Sequence, residues 1–367
     1  MTAPGRALVH PKIDGWLLGG IGVVAWLVVS PIGFGDSLAP ISGVLAWAIA
    51  GVTAAHFGSS YHLAYGKGWA AVKRNPVALG AIPVLLLLTS IGVAWAHIAG
   101  AEAGAQAAIR VMFISVFTLT GWHYIKQAYG VALLAGRTHG VKPQRREALL
   151  LRYSLYPVWI ASIVEIYGQG RGATYRSVDI TVSLIPPLVG KALTTIAVAG
   201  LAVAAVTMIR MARRASTIPP LGMWGSYAAG GLWLLLPPSY IGAAVMVAGL
   251  HALQYVACVH RAEVDWATER GERHIPTLWL SIFGGAAAGG LLVASWLPPL
   301  LDRSVAAGSV GVYGSLLFVI LNLHHYAIDA TVWRSGGDHV TRISRGPQTQ
   351  PQPQPETTAP SPQPALA

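Results

Sequence analysis

Cysteine is almost absent: Cys258 is the single one in 367 residues. That excludes an intrachain disulfide and any thiolate metal cluster. Acidic residues are also scarce, 14 against 25 lysines and arginines, and charged residues make up only 11% of the chain. A soluble domain carries about 25%, so this chain lacks the polar surface to keep a large core in water. Long polar segments are missing too. The longest, 136–148, 261–275 and the stretch after Trp333, are too short to bury a core of their own. What is abundant is apolar sequence, 54% of the chain, gathered in blocks of about twenty residues, the length that crosses a bilayer as a helix. The expected fold is all-α, a polytopic transmembrane helix bundle in the cell membrane.

The blocks predict about ten spans: 15–34, 40–61, 76–98, 111–132, 149–167, 180–208, 221–236, 240–260, 276–298 and 306–328. With the N-terminus inside, 19 of the 25 basic residues fall in inner loops or termini, and only Arg110, Arg171, Arg176 and Arg303 fall outside. The positive-inside rule then places both termini in the cytoplasm. The basic bias is accounted for by topology, and no nucleic-acid partner is expected. Arg6 and Lys12 precede the first block as they would in a signal peptide, but no small-x-small cleavage site follows, and the block is read as a span. The helical domain is expected over 1–334. A tail over 335–367 is expected to be disordered, because from Gly346 it is a Pro/Gln tract with few apolar residues.

Histidine is the informative residue. Of twelve, His10, His139, His274 and His339 lie in polar connections, and His97 at a span end. The other seven cluster. His56 and His62 close the second span, His123 lies in the fourth, His251 and His260 in the eighth, and His324 and His325 in the tenth. All four spans run in the same direction, so all seven histidines fall in the cytoplasmic half of the bilayer. A lone intramembrane histidine is commonly just hydrogen-bonded between helices. Seven at one level, where polar groups are costly and face a bundle interior, point instead to a bound metal or cofactor.

Helical spacing adds partners. His123 with Gln127, His251 with Gln254, and His325 with Asp329 are three or four residues apart and share a helix face. The expected ligands are His56, His62, His123, His251, His324, His325 and Asp329. Gln127, Gln254 and Tyr255 are expected behind them, the glutamines setting imidazole tautomers. Adjacent His324 and His325 point about 100° apart, so one can ligate while the other bridges or packs elsewhere. His56 and His62 converge only if Gly58 or Ser59-Ser60 bends the helix.

Several imidazoles and one carboxylate suit non-haem iron with open coordination positions. Copper is an alternative, as is a b-type haem between His123 and His251. The histidines, spread one or two to a helix, resemble those of the polytopic membrane oxygenases: fatty-acid desaturases and hydroxylases, and the Brp/Blh carotenoid-cleaving dioxygenases. The desaturase H-x-x-x-H and H-x-x-H-H boxes are missing, and the spacing is closer to the carotenoid-cleaving type. That resemblance implies a metal-dependent oxygenase, hydroxylase or desaturase acting on a lipid or isoprenoid. Its catalytic pair would be Asp329 and His325, and its partners would be membrane lipids, an apolar substrate and an electron donor. Tyr61, Tyr124, Tyr255 and Tyr326 would line the substrate's path, although aromatic residues near an interface more commonly anchor helices there. The competing expectations are a haem electron-transfer protein and a proton-coupled transporter using the histidines as a relay.

Overall fold

The computed structural model describes residues 7–10, 12–24, 39–168, 174–175, 178–179, 186–235, 241–271, 280–292 and 311–345, together with Leu27, Leu297 and Leu300. Helices carry nearly all of it. They are α1 (Ala39–Tyr65), α2 (Trp69–Arg74), α3 (Ile82–Ile98), α4 (Glu102–Thr138), α5 (Arg145–Ser154), α6 (Tyr156–Gly168), α7 (Pro187–Arg214), α8 (Leu221–Leu235), α9 (Ile241–Glu269), α10 (Gly285–Leu291), α11 (Val312–Val332) and α12 (Asp338–Arg345). Wider π-type turns occupy Trp16–Gly20, Val77–Ala81 before α3, and Leu280–Gly284 before α10. The one extended feature among the described residues is a two-residue antiparallel pairing, Thr174–Tyr175 with Val178–Asp179.

Local chemistry places the helix ends. Pro187 sits in the first turn of α7, where a missing N–H costs nothing, and Pro83, which has no N–H to give the turn before it, follows directly on the wide turn Val77–Ala81. Gln144 and Glu147 form a reciprocal cap at the start of α5. The expected span 149–167 is divided at Leu155 into α5 and α6. Pro157 cannot donate to the preceding turn, so the helix breaks there and restarts.

Four helical stretches among the described residues are long and apolar enough to cross a membrane: Val77–Ile98, α4, α7 and α11. Membrane association follows from these four; the structure does not resolve them into ten spans. The division at Leu155 leaves pieces of 10 and 13 residues. Parts of the first, sixth and ninth expected spans, and the start of the tenth, lie outside the described residues. Where the helix faces are described, large apolar side chains point outward, among them Leu88, Trp95 and Leu188 at 60%, 70% and 78% exposed.

Two close approaches fix the inner packing. Ala54 and Gly58 on α1 meet Gly290 and Ala286 on α10, each pair four residues apart. A Cβ on Gly58 would lie 2.5 Å from the Ala286 Cβ, and one on Gly290 would lie 2.7 Å from the Ala54 Cβ. Small residues at this spacing let helix backbones touch, the usual basis of association in membranes. In the second, Gly19 meets the Gly225 backbone on α8, where a Cβ would come within 2.2 Å of the carbonyl oxygen. The N-terminal turn is thereby pressed against α8, and its Leu18 side chain is buried.

The helical body extends past the boundary expected at residue 334. α12 packs on α9. Arg342 pairs with Glu269, Asp338 receives Lys67 and Arg74 at 3.4 and 3.3 Å, and Ile343 is buried. The Lys67 hydrogen bond and the Arg74 charge hold the Asp338 carboxyl below its usual range. Apolar burial and these ion pairs order a segment whose composition alone reads as tail. The Pro/Gln tract from Gly346 lies outside the described residues.

Gly58→Leu should separate α1 from α10 and lower the melting temperature of the purified protein, since overpacking of this kind costs about 1–3 kcal/mol. Gly51→Ala, on the same helix with nothing within 4 Å of a new Cβ, should not lower it, since alanine favours the helix over glycine. Equal effects would show that the seam is not tightly packed.

Candidate metal centre

α1, α4, α9 and α11 close a ring in which α1 and α4 each pack against both α9 and α11. Each helix contributes one imidazole to the middle: His56, His123, His251 and His325. All four are buried, and their facing nitrogens lie within 4.8 Å of one another. His56 Nε2 is 2.9 Å from His325 Nε2, and His123 Nε2 is 2.9 Å from His251 Nε2. Nitrogens bound to one ion at about 2.1 Å stand at most about 4.2 Å apart. A limit of 4.8 Å therefore leaves about 0.6 Å to close for a pair on opposite sides of the ion and about 1.4 Å for a tetrahedral pair, a side-chain adjustment. The donor set and its spacing fit a metal ion.

The hydrogen bonds behind His325 have a direction. Ser60 Oγ donates to the Phe57 carbonyl at 2.8 Å and lies 2.9 Å from His325 Nδ1. A hydroxyl has one proton, so Ser60 accepts from Nδ1–H and leaves the His325 Nε2 lone pair facing the other imidazoles. That is the tautomer a metal ligand needs. His56 Nδ1 and His251 Nδ1, both buried, have no hydrogen-bond partner among the described residues. These are the ring nitrogens other than the facing Nε2 atoms, so an ion at the centre would not supply their partners.

Asp329 stands beside the four. Its Oδ2 is 3.5 Å from His325 Nε2 and 3.7 Å from His123 Nε2, and its Oδ1 accepts the Tyr255 hydroxyl at 3.0 Å. The Tyr255 ring lies edge-on to His56, centroids 4.1 Å apart. One tyrosine thus braces both the carboxylate and an imidazole. Tyr326 stacks on His123 at 4.9 Å, with its hydroxyl 2.5 Å from Thr120 Oγ1, and Tyr124 lies 4.3 Å from His251.

Three expectations about individual residues change. His324 faces away from the cluster: its Nδ1 is 2.9 Å from the Tyr61 hydroxyl and its Nε2 is 3.1 Å from the Tyr65 hydroxyl. Tyr65 donates to the Leu79 carbonyl, so His324 donates from Nε2 and accepts Tyr61 at Nδ1. Both its nitrogens are occupied, and the 100° step between neighbouring helical residues is the cause. His62 is likewise apart, 3.4 Å from Glu263 with its side chain 44% exposed. α1 runs as one helix through Gly58 and Ser59-Ser60, so nothing turns His62 toward His56. His260 is not part of the cluster either.

The third change concerns the glutamines. Gln127 Nε2 bonds the backbone oxygen of His251 at 2.9 Å and Gln254 Oε1 at 3.1 Å. Gln254 Nε2 bonds the Leu18 carbonyl at 2.8 Å. They tie α4, α9 and the N-terminal turn together at the level of the cluster, and they fix backbone rather than tautomer. The tautomer is set by Ser60, which the sequence reading treated only as a bend. Its position four residues after His56, on the same face, was the available signal.

A haem does not fit between His123 and His251. Axial nitrogens on one iron need about 4 Å between them and a flat slot for the macrocycle. Here they are 2.9 Å apart, and the His56 and His325 rings lie 5.2 and 4.9 Å from those same two imidazoles.

No family model, curated protein or solved structure matches the chain. The functional reading rests on this geometry.

His56→Ala, His123→Ala, His251→Ala and His325→Ala should each lower bound metal at least tenfold by elemental analysis of purified protein. His62→Ala and His324→Ala should retain it, and Ser60→Ala should fall between, at about 10-fold or more weaker affinity. Equal loss in His324→Ala and His325→Ala would contradict the assignment of ligands.

Proposed function

We propose that the chain is an integral-membrane, metal-dependent oxidoreductase of the oxygenase, hydroxylase or desaturase kind, acting on a lipid or isoprenoid. The observation that carries this reading is the convergence of four imidazoles from four helices inside an apolar bundle, with one carboxylate beside them. Iron is the metal favoured, because an all-imidazole set with a nearby carboxylate and open positions suits it better than a closed structural site. Such an ion supplies redox chemistry with dioxygen at an otherwise inert hydrocarbon.

The chain's own residues hold the rest. Ser60 keeps the His325 Nε2 lone pair turned inward. Tyr255 holds the Asp329 carboxylate beside the His123 and His325 nitrogens, where it balances cationic charge and accepts a proton at Oδ2. The apolar surroundings exclude water, which keeps competing hydrolytic and proton-leak reactions out. The basic residues support a ten-span arrangement with both termini cytoplasmic, which puts the cluster within reach of apolar molecules entering from the inner leaflet.

A proton relay is the second reading, favoured by the two 2.9 Å imidazole contacts, which suit proton hopping as well as ligation. Iron(II)-loaded protein given extracted membrane lipids and a chemical reductant as electron donor should consume dioxygen, and Asp329→Asn should cut that rate by about 10-fold or more while retaining most of the metal. Folded protein that takes up no stoichiometric metal, yet moves protons across vesicles, would replace the oxidoreductase with the relay.

A further inference from the structure

Away from the metal cluster, α4 and the α5–α6 corner carry two cations with no acidic partner among the described residues. Lys126 Nζ lies 5.0 Å from the Trp122 ring. Trp122 packs on Tyr156 at 5.1 Å, and the Tyr156 hydroxyl accepts Arg152 Nε at 3.1 Å. The Arg152 guanidinium is 5.9 Å from the ring of Tyr153, which in turn lies 5.2 Å from Tyr156. The five residues form one continuous patch. The nearest carboxylate in sequence, Glu147, is taken by Arg214.

Two like charges gathered on one patch repel, and cation–π contacts offset only part of that. The patch is also partly open: Trp122, Lys126, Arg152 and Tyr156 are half-buried, and Tyr153 is exposed. It lies where α4, a helix long enough to cross the bilayer, meets α5. α5 presents Leu149 and Leu150 at 41% and 46% exposed beside Arg145 and Arg146, an apolar face edged by cations that suits the membrane interface. Tryptophan and tyrosine settle at the same level. An anion is the missing partner, and at that depth the abundant anion is a phospholipid headgroup. Basic pockets between transmembrane helices on the cytoplasmic side bind such headgroups.

We propose that Lys126 and Arg152, framed by Trp122, Tyr153 and Tyr156, form a binding site for the phosphate of an anionic phospholipid. The site rests on membrane placement and is independent of the metal. The headgroup neutralises both cations, and its acyl chains run along the exposed apolar face of α4 and α6.

The test is titration of the purified chain, in neutral detergent, with phosphatidylglycerol, phosphatidylcholine and inorganic phosphate, following melting temperature. Phosphatidylglycerol should stabilise the chain, and the other two should not at equal concentration. Each cation near the surface contributes about fivefold, so Lys126→Gln should weaken the response about fivefold and Lys126→Gln with Arg152→Gln about 30-fold. Lys126→Arg should respond like the parent. Equal response in parent and double variant, an equal effect of phosphatidylcholine or phosphate, or loss of response in Lys126→Arg would each overturn the proposal. Metal content measured on the same samples should not change, so this site and the metal centre stand or fall separately.

Discussion

Imidazoles and carboxylates are expensive to bring from water into an apolar bundle, and this chain brings four of the first and one of the second to a single point. Each must be held by the groups around it. Ser60 orients one imidazole, Tyr255 braces another ring and the carboxylate together, and Gln127 with Gln254 secures the backbone behind a third. The close approach of α1 to α10, and of the N-terminal turn to α8, supplies the rigid frame. Glycine and alanine at those crossings let backbones approach where side chains would force them apart.

Three apolar clusters pack around the helices that carry the site. One apolar cluster gathers α4 to α9 around Leu151, Met208 and Met223. A second joins α3, α4 and α11 around Phe113 and Val319, and a third joins α1, α9 and α11 around Leu63, Val259 and Ile328. α4, α9 and α11 each belong to two of these clusters, and α1 belongs to the third. Polar side chains there lie inside the protein without breaking any one apolar layer, which is where intramembrane ligands are tolerated.

Much of this was legible in the sequence, and the limits were local. Composition and block length point to a helical membrane protein, and the histidines mark α1, α4, α9 and α11. Which histidine of a pair faces inward was not legible, because His324 and His325 differ by one residue and only packing decides between a tyrosine pair and the cluster. His56 and His62 could be separated in advance, given a straight helix. The glutamines were misassigned because shared helix face predicts proximity to an imidazole but not whether its ring or its backbone is bonded. The break at Leu155 was signalled by Pro157, and the docking of α12 depended on partners more than seventy residues away in Glu269, Lys67 and Arg74.

The central claim is that four imidazole nitrogens from four helices hold one metal ion. X-ray absorption on the metal-loaded, purified protein reads that shell directly. The account predicts one ion per chain, nitrogen or oxygen neighbours at about 2.1 Å, and the outer-shell scattering pattern of several imidazole rings, diminished in His251→Ala. A shell of oxygen alone without imidazole scattering, or a folded protein that holds no ion in stoichiometric amount, would contradict it.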